Sequence, residues 1–141
     1  MNASFQFKDY HIDKIIFDNN IAPVNADDDN DSGLNIQFEL EVALDDTDMK
    51  ARVLLNANIF SQSKKDGDQP PILSTRIAGF FEQDGSLSPE EFRARCEMNG
   101  AATLFPFLRS AVADVTRITN MGPVLILPLI NVHKMLGREK A

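Results

Sequence analysis

Between residues 34 and 44 the chain keeps an unbroken alternation. Leu34, Ile36, Phe38, Leu40, Val42 and Leu44 are apolar, while Asn35, Gln37, Glu39 and Glu41 stand between them. A period of two residues is what a strand with one dry and one wet face demands. The pattern then repeats: Met49, Ala51, Val53, Leu55, Ala57 and Ile59 share one side, and the polar turn Asp45, Asp46, Thr47, Asp48 joins the two runs. The spacing predicts a hairpin. Its dry face has to be covered, so whatever else the chain builds must pack on that side.

The approach to this hairpin contains a competing signal. From Asp28 the residues spell DxNxSGxxxxxE, with Asp28, Asn30 and Ser32 as oxygen donors, Gly33 for the turn and Glu39 as the closing ligand of a calcium loop. That loop needs helices on both sides and an aliphatic residue where Asn35 stands. A strand that starts at Leu34 points Glu39 away from such a cage. The sequence therefore predicts a solvated acidic lead, Asp27 to Asp31, into a strand.

Two further strands and a helical half follow from the same reasoning. Phe5, Phe7, then Tyr10, Ile12, then Ile15, Phe17 alternate with two slips, as β-bulges produce. After the polar connection SQSKKDGDQPP, Leu73, Thr75, Ile77 and Phe81 share a side in a fourth strand over about 72–81. The period changes beyond Gly85. Ser88 to Glu91, SPEE, is a capping box with Pro89 in the first turn of a short helix carrying Phe92 and Cys96, expected to break at Asn99 and Gly100. Leu104, Leu108, Ala111, Val112, Val115 and Ile118 then mark one face of a long helix over 101–121, with Pro106 near its start and Gly122 and Pro123 as its stop. Pro123 to Ile130 is expected to be extended, and NVHKML to form a last partial helix. The fold class is α+β: a four-stranded antiparallel sheet packed with one long and one or two short helices.

With 141 residues, 1–141 is expected to form a single domain around one core. The net charge of −7, with no cluster of Lys and Arg, argues against nucleic acid and against an anionic membrane surface. No apolar run is long enough to cross a bilayer, and no signal-peptide apolar region is present in the first residues. One cysteine, Cys96, excludes an internal disulfide and fits a reducing, cytoplasmic setting.

Catalytic constellations are scarce. Cys96 with His11 or His133 would be the only thiol–imidazole pairing, and a packed thiol is the commoner role of a cysteine on an apolar helix face. Glu90 and Glu91 read as helix-start charges rather than an acid–base pair. Arg109 is expected in an interface or structural ion pair. No GxSxG elbow, phosphate loop, GxGxxG, HExxH or CxxC occurs, so neither enzyme chemistry nor a cofactor or metal is indicated.

One long helix covers only part of a four-stranded face. Phe5, Phe80, Phe105, Phe107 and the run PVLILPLI offer more apolar surface than that packing hides, and the remainder must meet another subunit or an apolar client. A small-ligand-binding α+β module is the alternative of a different class, since a curved sheet wrapped by a helix also makes pockets.

At Leu104 to Arg109 the run LFPFLR resembles the LFPYAR helix start of SecB, the bacterial protein-export chaperone. FQFKDYHIDKIIFD at residues 5–18 looks like that family's first strand, and PLINVHKML at 128–136 resembles its APVNFDALF segment after the long helix. The similarity runs in order over nearly the whole chain. It implies a SecB-like fold, assembly as a dimer of dimers, and an ATP-independent holdase that binds unfolded polypeptide in apolar grooves for export. By position, the client-binding residues it implies are Phe5, Ile36, Phe38, Leu40, Val132 and Leu136; each is equally suited to a core or a subunit interface. Asp18 fits one acidic position through which the family contacts the SecA motor, whereas Lys14 stands where another carboxylate would be, and Thr75 and Arg76 lie near a third. The insertion EQDGSLSPEEF resembles SecB-like chaperones that guard an antitoxin, so an antitoxin is the alternative client to exported precursors.

Overall fold

The computed structural model describes residues 5–18, 34–61, 70–120 and 124–127. Four antiparallel strands, β1 (Phe5–Phe17), β2 (Leu34–Leu44), β3 (Lys50–Ser61) and β4 (Leu73–Gln83), form one sheet in the order β1-β4-β3-β2. Helix α1 (Pro89–Arg95), a π-helical turn (Cys96–Gly100) and helix α2 (Ala101–Thr119) follow without interruption. Among the described residues no helix is long and apolar enough to cross a membrane.

The hairpin pairs in the register its alternation demands, from Leu34 opposite Ser61 to Leu44 opposite Ala51. Its turn is organised by one carboxylate. Asp45 Oδ1 accepts from Thr47 Oγ1 at 3.0 Å, Met49 N at 3.1 Å and Lys50 N at 3.3 Å, and Asp48 takes the left-handed conformation at φ 60°. Desolvation pushes the Asp45 carboxyl upward, but hydrogen bonds from Thr47, Lys50 and Met49 together outweigh it and hold the group below the usual carboxylate range.

β1 slips against β4 at the two places where its apolar alternation slips, between Phe7 and Asp9 and between Ile12 and Lys14. The residue left over in the second bulge is Asp13. It reaches across to Arg76, whose Nε lies 2.9 Å from Asp13 Oδ1.

The core lies between the sheet and the helices. Val53, Leu55, Ala57, Leu73, Ile77 and Phe81 from the two central strands meet Phe92, Cys96, Leu104, Leu108 and Val112. Gly79 lets α2 approach: a Cβ there would sit 2.6 Å from Leu104 Cδ2. Among the described residues the opposite face of the sheet carries no helix, and a polar net of Asn56, Asn58 and Ser74 lies on it, with Asn56 Nδ2 and Ser74 Oγ both donating to Asn58 Oδ1 at 2.8 Å.

The helical half departs from expectation at three points. Its start is as expected, since Ser88 Oγ accepts from Glu91 N at 3.1 Å and Glu91 Oε1 accepts from Ser88 N at 2.9 Å. Asn99 and Gly100, however, do not break the helix. Buried positions 92, 96, 100, 104, 108 and 112 step by four, and on an α-helix each such step drifts by about 40°. The wider π turn takes back part of that drift and keeps the series on the sheet side. Gly100 fits in the right-handed conformation at φ −64°, tucked against Val53 and Phe81. Consequently Pro106 lies inside a continuous helical stretch rather than near a start; it is exposed, as is Ala102, whose carbonyl loses its donor to the proline. Finally, α2 stops at Asn120, left-handed at φ 55°. Gly122 and Pro123, the expected stop, lie outside the described residues.

Residues 124–127 run back along α2. Leu125 N donates to Thr116 Oγ1 at 2.9 Å, and Arg109 Nε donates to the Leu127 carbonyl at 2.6 Å. Arg109 thus holds a backbone oxygen where an ion pair was expected.

Candidate functional site

β2 is an edge strand, and its apolar stripe is only half hidden. Ile36, Phe38 and Leu40 are partly buried and pack against the core from the side, with the Phe38 ring 5.8 Å from that of Phe105 on α2. An edge strand presents one row of backbone donors and acceptors with no neighbouring strand. At the far end of this edge α1 intervenes: Arg93 Nη1 donates to the Val42 carbonyl at 3.0 Å.

Phe5 belongs elsewhere. It lies on β1, the other edge, stacked on Phe81 at 5.1 Å and edge-on to Phe92 at 6.1 Å. The register places Phe5 at the hairpin-turn end of the sheet and Ile36 at the opposite end. The structure therefore brings Ile36, Phe38 and Leu40 together and leaves Phe5 apart from them. Val132 and Leu136 lie outside the described residues, as do His133 and the calcium donors Asp28, Asn30 and Ser32 with Gly33. Glu39 is exposed in β2, and the residues after Gly33 form a strand where that motif needs a helix. Among the described residues no group of His, Cys, Asp or Glu could hold a metal ion.

The larger open apolar surface is one the site expectation passed over. On β1, Phe7 is 37%, Tyr10 38%, Ile15 51% and Ile16 53% exposed. Tyr10 stacks on Phe107 of α2 at 4.2 Å, and Phe7 lies 6.2 Å from the same ring. Ile118, Val124 and Ile126 add exposed aliphatic surface at the end of α2 and along the returning segment. The signal was present in the bulged alternation of residues 5–17, which supplies apolar side chains to an edge strand with little to pack on.

Asp18 is exposed, and its N–H closes the end of β1 onto the Ile72 carbonyl at 2.9 Å. Near it the helix-free face carries Lys14 opposite Arg76 in the β1–β4 register, with Asp13 neutralised by Arg76. Among the described residues the thiol–imidazole pairing of Cys96 with His11 is not assembled. Cys96 is fully buried beneath the helices, and desolvation pushes its thiol up to about 12. His11 pairs with Ala78 on the face away from them, 5.5 Å from Phe80.

No family model matches the chain. It is 30% identical over 136 residues to an uncharacterized protein of Methanocaldococcus jannaschii, covering 96% of this chain and 84% of the other. Over 108 residues it is 29% identical to the protein-export protein SecB of Ruegeria pomeroyi, covering 77% of this chain and 65% of that one. Among solved structures it is similar to a Mycobacterium tuberculosis SecB-like chaperone in complex with a ChAD peptide from the HigA1 antitoxin, with TM-score 0.67, 21% identity and 91% of each chain covered. The four-stranded antiparallel sheet with its long C-terminal helix is thus a SecB-like fold, carried by a chain whose sequence is similar to that of SecB.

Proposed function

We propose that this protein is an ATP-independent holdase that binds apolar segments of non-native polypeptides. The observation that carries the reading is the open apolar surface on a small acidic chain: Phe7, Tyr10, Ile15 and Ile16 exposed on β1, beside the half-buried Ile36, Phe38 and Leu40 on the other edge strand, β2. An unfolded client hides its own apolar side chains against such surface, which delays aggregation without any bond being made or broken. Ile36, Phe38 and Leu40 are the client residues we favour; Val132 and Leu136 complete the proposed set. The exposed face of β1 is assigned to contact between subunits of a homo-oligomer.

A dedicated antitoxin client is the second reading, beside export of many precursors. It is favoured by the Mycobacterium tuberculosis relative, whose complex holds an antitoxin peptide. Lys14 and the Arg76–Asp13 pair also leave Asp18 as a weak acidic foothold for a SecA motor.

Dilution of a chemically denatured enzyme into the protein, with and without nucleotide, tests the reading by light scattering. Aggregation should fall as the protein approaches equimolar amounts, equally with and without ATP. A protein without effect at severalfold excess overturns the proposal. Pull-down with SecA and with an antitoxin tail then distinguishes the two kinds of client.

A further inference from the structure

Helix α1 is fastened to the sheet on both of its edges. Phe92, fully buried, meets Phe5 of β1 edge-on at 6.1 Å. The next residue, Arg93, donates to the Val42 carbonyl of β2 at 3.0 Å. Since β1 and β2 are the two edge strands, a helix of seven residues bridges the sheet from side to side at the hairpin-turn end. Its C-terminal attachment is a π turn, Cys96–Gly100. Such turns are rare interruptions of an α-helix and recur at functional sites. This one closes on a glycine, whose backbone is the least restrained of any residue.

We propose that α1 is a hinged strap: it turns about the π turn when the Arg93–Val42 latch lets go, and it uncovers an apolar slot that takes a large apolar side chain of a non-native polypeptide. The slot lies between Phe5 and the Val42 end of β2, in line with the Ile36–Leu40 stripe. The identity of the occupant rests on the holdase reading above; the motion does not. Phe92 fills the slot in the closed state, so the open state is a minor population. An incoming side chain that replaces Phe92 restores the lost burial and draws the population towards open. The affinity of such a client is reduced by the fraction of molecules that are open, and weakening the latch raises it.

Cys96, the only cysteine of the chain, reports the motion because it is fully buried while the strap is shut. The test measures its modification by excess 5,5′-dithiobis(2-nitrobenzoate) in the full chain, at urea concentrations below the unfolding transition. A local opening gives a rate that changes little with urea, whereas global unfolding gives one that climbs steeply. Arg93→Ala should raise the rate about three- to tenfold, the effect of one exposed charge-assisted hydrogen bond, with the thermal midpoint almost unchanged. Gly100→Ala should lower it. A rate that rises with urea in step with global unfolding, or one indifferent to Arg93→Ala, overturns the strap. Binding of reduced, carboxymethylated α-lactalbumin tests the occupant: Arg93→Ala should bind it more tightly by the same factor that it speeds labelling. Equal affinities for both proteins remove the slot as a client site. Binding by neither overturns the holdase reading and the occupant with it, while urea-independent labelling still establishes the hinge.

Discussion

A single methyl group has opposite effects at two glycines. At Gly79 an added Cβ would lie 2.6 Å from Leu104 Cδ2 and 2.9 Å from Cδ1, so the helix or the leucine must shift. Gly79→Ala is expected to cost about 1–3 kcal/mol, read as a lowered thermal midpoint. At Gly100 the same atom would meet Val53 Cγ2 at 3.4 Å and Phe81 at 3.5 Å, with the backbone already helical. Gly100→Ala should stabilise the protein by about 0.5–1 kcal/mol in the same measurement. Asp45 gives a pH signature. Its folded-state value lies below the ordinary 3.8, so its carboxylate stabilises the fold above about pH 4 and loses that effect as pH falls through the folded value. Asp45→Asn should therefore melt earlier than the parent at neutral pH, and the gap should narrow as pH falls below the ordinary carboxylate value in paired melting curves. At this scale the sequence was partly readable. The side shared by Leu73, Thr75, Ile77 and Phe81 was readable, whereas the close approach of Leu104 to Gly79 was not, because it depends on where α2 crosses the sheet. The partner of Arg109 was not readable, because the Leu127 carbonyl comes into reach only once the chain has folded back along α2.

Elements declared themselves where local chemistry decides and stayed hidden where long-range packing does. The hairpin, both bulges of β1 and the capping box at Ser88 follow from alternation and from side chain–backbone bonds within a few residues. Ser88→Ala should cost about 1 kcal/mol, measurable by urea unfolding, since it leaves the Glu91 N–H without its acceptor. Asn99–Gly100 reads locally as a stop, yet the core on one side of the helices overrides it: Gly100 is buried, and continuing the helix keeps Phe92, Cys96, Leu104 and Leu108 in one row. The place of Phe5 was likewise settled by pairing far along the chain. β1 joins β4, so Phe5 ends on the edge opposite to Ile36, Phe38 and Leu40.

For the whole molecule, the readable quantity was an imbalance: more apolar surface than one helix can cover. The structure locates it, above all on β1, where composition alone could not. If β1 joins copies of the chain, sedimentation should give a mass that is a multiple of 15.7 kDa, and Tyr10→Asp with Ile15→Asp should shift it towards the monomer while far-UV circular dichroism stays unchanged. The Asn56, Asn58 and Ser74 net makes one stretch of the face away from the helices polar. The two bulges of β1 add a safeguard. A kinked, strongly twisted border admits a neighbour that shares its irregularity, but it cannot template the flat, endlessly repeating stack of a fibril, so the open side chains of β1 carry less of that hazard than they would on a straight edge.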